Sequence, residues 1–231
     1  MKIKRIEFWT VNMKLSVPYT IAYETIDSAA NVFLKLETDS GHIGYGCAAP
    51  DLPVTGETAE TVEASLRKVE GILLGEDALR RTHLLEEVRK EIPAQPSARA
   101  AIDMALHDLL GKSAGQPLWK LLGGFRERIL TSLTIGILET QETVEHALSA
   151  VGKGFHALKL KGGSDLESDV ERLMKVREAV GHEIELRFDA NQGYSLAQAK
   201  EFIERTRAAK LELLEQPTPK EELAMMGSVS A

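Results

Sequence analysis

The chain is poor in cysteine and in long apolar runs, and each shortage excludes something. Cys47 is the only cysteine among 231 residues, so no disulfide can close within the chain and no Cys-x-x-Cys metal or redox motif exists. No stretch approaches the ~20 apolar residues that a membrane-crossing helix needs. The opening Met-Lys-Ile-Lys leads into an alternating pattern, without the apolar run and small-residue cleavage site of a signal peptide. Basic residues number 28 against 35 acidic ones, for a net charge of -7 with no basic stripe, which leaves nucleic-acid binding without electrostatic support. The expectation is a cytoplasmic protein with neither nucleic-acid nor membrane partners. Gly-x-Gly-x-x-Gly, P-loop and His-Glu-x-x-His patterns are missing too, so neither nucleotide nor zinc chemistry has a motif to rest on. His42, His83, His107, His146, His156 and His182 are scattered and read as surface or structural, and Cys47 reads as packing.

What is present is an ample apolar share, 43%, enough for one large or two small packed cores. The first fifty residues read as a β-meander. Ile3 to Val11 is rich in β-branched and aromatic residues, Val32, Leu34 and Leu36 alternate with Phe33, Lys35 and Glu37, and Asp39-Ser-Gly-His42 is a turn signal before Ile43 to Cys47. Helical periodicity follows in Thr58 to Leu74 through Val62, Leu66, Val69 and Leu73, with Gly75 as the stop. A second helix is marked by Leu84, Leu85 and Val88. A third is expected to open at Ser97 as N-cap, with Ala101, Ile102, Ala105, Leu106 and Leu109 on one face. Strands followed by helices predict an α+β domain over residues 1–125.

After Gly123-Gly124 the rhythm changes to strand and helix in alternation, which predicts a second domain over 126–231. Strands are expected at Ile129 to Ile137, Ala157 to Lys161, Ile184 to Asp189 and Leu211 to Glu215. Helices fall at Thr140 to Val151, Leu166 to Val180 with Gly181 as cap, and Ser195 to Arg207. Four strands and three helices make a partial (β/α) barrel, since closure takes eight strands.

Three polar clusters stand where these strands should end: Lys159-Leu-Lys161, Asp189-Ala-Asn191 and Glu215-Gln216-Pro217. Their pitch of roughly thirty residues is that of one strand plus one crossover helix. Residues two apart on a strand share a face, so Lys159 and Lys161 project together. Taken singly, each cluster has an ordinary explanation: a solvated strand face or edge guard for the lysines, an Asx turn for Asp189-Ala-Asn191, a strand stop for Glu215-Gln-Pro. Together, on successive strand ends, they favour a site on the rim where such barrels keep their chemistry. Two carboxylates there suit a hard cation such as Mg²⁺. If both lysines sit inside, each ammonium is expected to depress the pKa of the other, which suits a lysine base.

With these motifs go GQPLWKLLGG at the domain join, FDANQG and LLEQP, and in that order the set resembles the enolase superfamily, muconate-lactonizing-enzyme subgroup, over nearly the whole chain. The resemblance implies an enolase-like fold, an α+β capping domain and a (β/α)7β barrel that this chain leaves incomplete at its C-terminus, with an essential Mg²⁺. It implies Asp189 and Glu215 as metal ligands, Lys161 as catalytic base, and Lys159 as the group that holds the substrate carboxylate. A finer likeness points to L-Ala-D/L-Glu (dipeptide) epimerases. TSLTIGI resembles their first barrel strand, making Thr134 substrate-binding, while APDLPVTGET and the Tyr23-Glu24-Thr25 region resemble their specificity loops. The implied chemistry removes the α-proton beside a carboxylate through an enediolate intermediate and returns a proton to the opposite face. The third metal ligand and second lysine of the family have no counterpart here, so the chain reads as C-terminally truncated, inactive by itself and prone to aggregation through an unpaired strand edge. A cycloisomerase, an o-succinylbenzoate synthase and a non-catalytic remnant stay open as alternatives, as does homo-oligomerisation.

Overall fold

The computed structural model describes residues 1–20, 25–221 and 223–230; Tyr23 and Glu24, expected in a specificity loop, lie outside the described residues. The chain divides into two compact units, residues 1–15 with 28–127 and residues 16–27 with 128–231.

β1 (Ile3–Thr20), β2 (Thr25–Thr38) and β3 (Ile43–Ala48) form a three-stranded sheet with β2 in the middle, whose residues 3–15, 28–38 and 43–48 belong to the first unit. β2 and β3 are antiparallel, with Val32, Leu34 and Leu36 opposite Ala48, Gly46 and Gly44. The short helix α1 (Leu52–Thr55) follows, then α2 (Ala59–Leu73), α3 (Arg81–Glu91), α4 (Pro96–Ser113) and the short α5 (Leu118–Leu121). Alternation in β2 and the helical period of α2 and α4 put Val32, Leu34, Leu36, Val62, Leu66, Val69, Ile102, Leu106 and Leu109 into one buried cluster. Helix α4 lies directly on β3 because Gly46 has no side chain: a Cβ there would stand 1.9 Å from the Ala101 carbonyl oxygen. The α4 N-terminus departs from expectation. The helix starts at Pro96, and Ser97 is no N-cap; the amides of Ser97 and Ala98 donate instead to the buried Glu57 carboxylate, at 2.8 and 3.2 Å. A carboxylate from forty residues upstream thus neutralises the helix end, where a local cap was expected.

The second unit alternates β4 (Ser132–Ile135), α6 (Thr140–Gly152), β5 (Ala157–Lys161), α7 (Leu166–Val180), β6 (Glu185–Asp189), α8 (Leu196–Thr206), a 3-10 turn (Arg207–Ala209), β7 (Leu213–Glu215) and α9 (Leu223–Ser230). The sheet runs β4-β5-β6-β7, all parallel. β4 is shorter than its sequence suggests because β5 begins only at Ala157, leaving it four paired residues. β7 pairs only against Arg187 to Asp189, which trims it likewise. The sheet has two unlike faces. Leu158, Leu160, Leu186 and Phe188 are fully buried in a cluster with Leu173, Val176 and Phe202 from the helices. The alternate residues Lys159, Lys161, Arg187 and Glu215 face the other way and are only partly covered, so that face is polar. Gly181, at φ 75°, ends α7 as expected, and a Ser195–Gln198 capping box opens α8.

Candidate active site

Parallel register builds the site. Lys161 on β5, Asp189 on β6 and Glu215 on β7 are direct neighbours across the sheet, one transverse row at the strand ends. One layer back, Thr134, Lys159 and Arg187 form a second row, with Thr134 exposed. Side chains of in-register parallel neighbours share a face, so the rows converge. Asp189 Oδ2 accepts from Lys161 Nζ at 2.8 Å and from Lys159 Nζ at 2.9 Å, and Lys159 Nζ lies 2.6 Å from Glu215 Oε2. The Asp189 side chain is 3% exposed, Lys161 13%, Lys159 21% and Glu215 46%. All four expected site residues other than Thr134 thus meet in one ion-paired cluster.

The electrostatics correct one expectation. Burial alone would lower the Lys159 pKa, but hydrogen bonds and charge from Glu215 and Asp189 more than offset it and hold the ammonium above its usual range. Pairing with two carboxylates, at 2.9 and 2.6 Å, favours the charged form, against the depression expected of a lysine pair. Burial likewise tends to raise the Asp189 carboxyl, and the hydrogen bonds from Lys161, Lys159 and the Asn191 amide bring it below the ordinary carboxylate range. Cys47 behaves as packing: burial pushes its thiol up, away from the thiolate a nucleophile needs.

The Asx turn expected as the plain reading of Asp189-Ala-Asn191 is also present, with the Asn191 amide donating to Asp189 Oδ1 at 3.0 Å. One carboxylate oxygen shapes the loop while the other faces the lysines. Asn191 and Gln192, at φ 47° and 67°, and Gln216 at φ 35° occupy the left-handed region that side chains other than glycine seldom adopt. These strained positions are held by backbone bonds between the loops after β6 and β7: Gln192 to the Gln216 carbonyl at 2.8 Å and Tyr194 to the Pro217 carbonyl at 2.9 Å.

Whether Mg²⁺ suits these residues can be judged from the donor set. Asp189 Oδ2 and Glu215 Oε2 both lie within hydrogen-bond reach of a single positive centre, Lys159 Nζ, so they already converge on one cation. Both are hard oxygen donors, and Mg²⁺ binds through one or two carboxylates while keeping several waters. The chemistry of this donor pair fits such an ion, which Asp189 and Glu215 would hold. Among the described residues there is no group of three or more histidine, cysteine, aspartate or glutamate side chains arranged to bind a metal.

Sequence reasoning missed several polar residues of this region. Arg187 shares the second row and donates through Nε to Glu212 at 2.6 Å. Asp169 and Arg172, in the first half of α7, and Tyr194, in the loop after β6, are buried at 1%, 2% and 2% exposure. Asp169 and Arg172 were detectable as charges set on the otherwise apolar stripe of α7.

Comparisons with known proteins agree with this architecture. Residues 4–123 match the mandelate racemase / muconate lactonizing enzyme N-terminal domain, and residues 142–231 match the enolase C-terminal domain-like family. An L-Lys-D/L-Arg epimerase of Desulforapulum autotrophicum is 43% identical over 99% of this chain and 65% of its own length. An L-Ala-D/L-Glu epimerase of Clostridium acetobutylicum is 35% identical over 94% of this chain and 62% of its own. The crystal structure of a dipeptide epimerase from Enterococcus faecalis, complexed with Mg and the dipeptide L-Leu-L-Tyr, superposes with a TM-score of 0.96 at 35% identity, covering 99% of this chain and 65% of that one. The chain thus spans just under two thirds of the length of these relatives, and its sheets correspond to a capping domain and to part of a (β/α) barrel. With a capping domain, a partial parallel barrel and relatives that epimerise amino-acid derivatives, the chain belongs to the mandelate racemase/muconate lactonizing enzyme family of the enolase superfamily.

Proposed function

We propose that this chain carries the base-bearing part of a Mg²⁺-dependent dipeptide epimerase. The observation that supports the reading above all is the convergence of Asp189 and Glu215 on one cationic position beside the Lys161 amine. Mg²⁺, held by Asp189 and Glu215, would supply positive charge to the substrate carboxylate and so make its α-proton more acidic. Lys161 in its neutral form takes that proton into its nitrogen lone pair. The C–H electron pair passes into the Cα–C bond and onto the carboxylate oxygens, giving an enediolate. Lys159 pairs with a carboxylate oxygen, and Thr134, exposed at the first strand of the row, contacts the remainder of the dipeptide. Having taken the proton, Lys161 is an ammonium and can return it only on its own face. Inversion requires a second acid on the opposite face, a role that none of the residues assigned above fills.

The substrate class is a dipeptide, with L-Ala-L-Glu as the first candidate. A cationic dipeptide is the second, favoured by the 43% identity to an L-Lys-D/L-Arg epimerase. The test is to fuse residues 1–231 to the remaining third of the Desulforapulum autotrophicum relative and screen a dipeptide library in deuterated water with Mg²⁺. Epimerisation with deuterium at the α-carbon, abolished by Lys161→Ala, is the expected result. A folded, Mg²⁺-binding fusion that leaves every dipeptide unexchanged refutes the proposal.

A further inference from the structure

Behind the polar row lies a second charged assembly that no step above uses. Asp169 and Arg172, one helical turn apart near the start of α7, are ion-paired and almost wholly inaccessible at 1% and 2% exposure. The Asp169 Oδ2 atom accepts from the Tyr194 hydroxyl at 2.6 Å and from the Gly163 amide at 2.8 Å, while Arg172 Nη2 donates to the Lys161 carbonyl at 2.9 Å. Burial, reinforced by the Asp169 charge, pushes the Tyr194 hydroxyl well above its usual range, so it stays protonated as a donor. Desolvating a charged pair costs several kcal/mol per ion, and a hydrophobic substitute of similar volume is often as stable or more so. Among the described residues the Arg172 Nη1 atom has no hydrogen-bond partner. Stability is a poor reason for such an assembly.

Its attachments suggest a better one. Arg172 holds the backbone of Lys161 itself. Asp169 holds Gly163, two residues beyond Lys161, and Tyr194, five residues beyond Asp189. The Tyr194 amide bonds in turn to the Pro217 carbonyl, two residues beyond Glu215, and the Gly162 amide to the Asp189 carbonyl at 2.9 Å. Each of the three strand ends that presents a site side chain is therefore tied to one buried carboxylate. The loops are pressed together so closely that a Cβ on Gly163 would stand 1.8 Å from the Ala190 carbonyl oxygen.

We infer that Asp169, Arg172 and Tyr194 are positioning residues that set the Lys161 amine against the Asp189 carboxylate. The inference rests, for its catalytic meaning, on Lys161 being the base. Two measurements on the full chain test it without turnover. In a double-mutant cycle of Lys161→Met with Tyr194→Phe, the loss in the unfolding equilibrium constant caused by Lys161→Met should shrink by about threefold or more in the Tyr194→Phe background. The nitrogen-15 NMR signal of the Lys161 ammonium should shift in Tyr194→Phe, whereas that of Lys35, paired with Glu7 at 2.8 Å in the first unit, should stay in place. Should Tyr194→Phe fail to fold, Arg172→Lys keeps the charge while losing the reach to the Lys161 carbonyl and serves in its stead. An additive cycle with an unmoved Lys161 signal overturns the inference. Because neither readout involves substrate, a failure here is distinct from a failure of the epimerase reading, which appears only in the exchange assay.

Discussion

Asp189 is the hub of the ion cluster, and replacing it with asparagine should cost far more than removing either partner. Asp189→Asn keeps the shape of the side chain but leaves two ammonium groups, now at 2.8 and 2.9 Å from Oδ2, facing a neutral amide and each other. Hydrogen bonds to charged groups are worth roughly 1.5–3 kcal/mol each. With the lysines 13% and 21% exposed, water recovers part of that, leaving a loss of about 2–4 kcal/mol. Lys159→Met is different. Asp189 retains Lys161 and the Asn191 amide, and Glu215, 46% exposed, turns to water, so the cost is about 0–1 kcal/mol. The two variants should also part on metal binding: Lys159→Met removes a cation that would compete for both carboxylates and should tighten Mg²⁺ binding, while Asp189→Asn should weaken it. Urea denaturation gives the stabilities and titration calorimetry the affinities. Equal destabilisation by the two variants, or weaker Mg²⁺ binding in Lys159→Met, would refute the reasoning.

The pH dependence has a definite sign. Because the folded Asp189 carboxyl lies below its unfolded value, its contribution is complete above about pH 3.9 and is lost as pH falls through the lower folded value. Lys159, raised on folding, contributes fully below about pH 10.4 and loses that contribution as pH climbs through the raised value. Denaturation midpoints followed into acid should fall less steeply for Asp189→Asn than for the parent; identical slopes would contradict this. Glu57→Ala should destabilise the first unit by about 1–3 kcal/mol, since the amides of Ser97 and Ala98 lose a buried acceptor, and amide hydrogen exchange at those positions should rise with it. In Gly46→Ala the new methyl would stand 1.9 Å from the Ala101 oxygen, so α4 must move off the sheet at a cost of about 1–3 kcal/mol, measurable as a lowered Tm.

The broad fold was legible because two physical periods dominate it. Alternation of Val32, Leu34 and Leu36, the helical stripe of α2, and the strand-helix rhythm after Gly124 all reflect burial of one face, which composition records directly. Lys161, Asp189 and Glu215 were legible as candidates because strand ends are where polar residues interrupt apolar runs. Their meeting depended on register, which no local pattern states. The start of α4 was misread because Glu57, a long-range partner, did the work assigned to a local cap. The state of Lys159 was misread because a lysine pair suggests repulsion, whereas the pairing to two carboxylates emerges only when three strands are side by side. Asp169 and Arg172 went unremarked because α7 reads as helical whether or not its inward stripe carries charge.

The single transverse row of Lys161, Asp189 and Glu215 also bears on how the second unit folds. Sliding β6 by one residue against its neighbours would turn Asp189 and Arg187 toward the helices and bring Phe188 into the open, burying two charges beside Leu173 and Phe202. Misaligned chains would be rejected energetically by the charges of the candidate site, so the same row that brings those side chains together also enforces strand alignment.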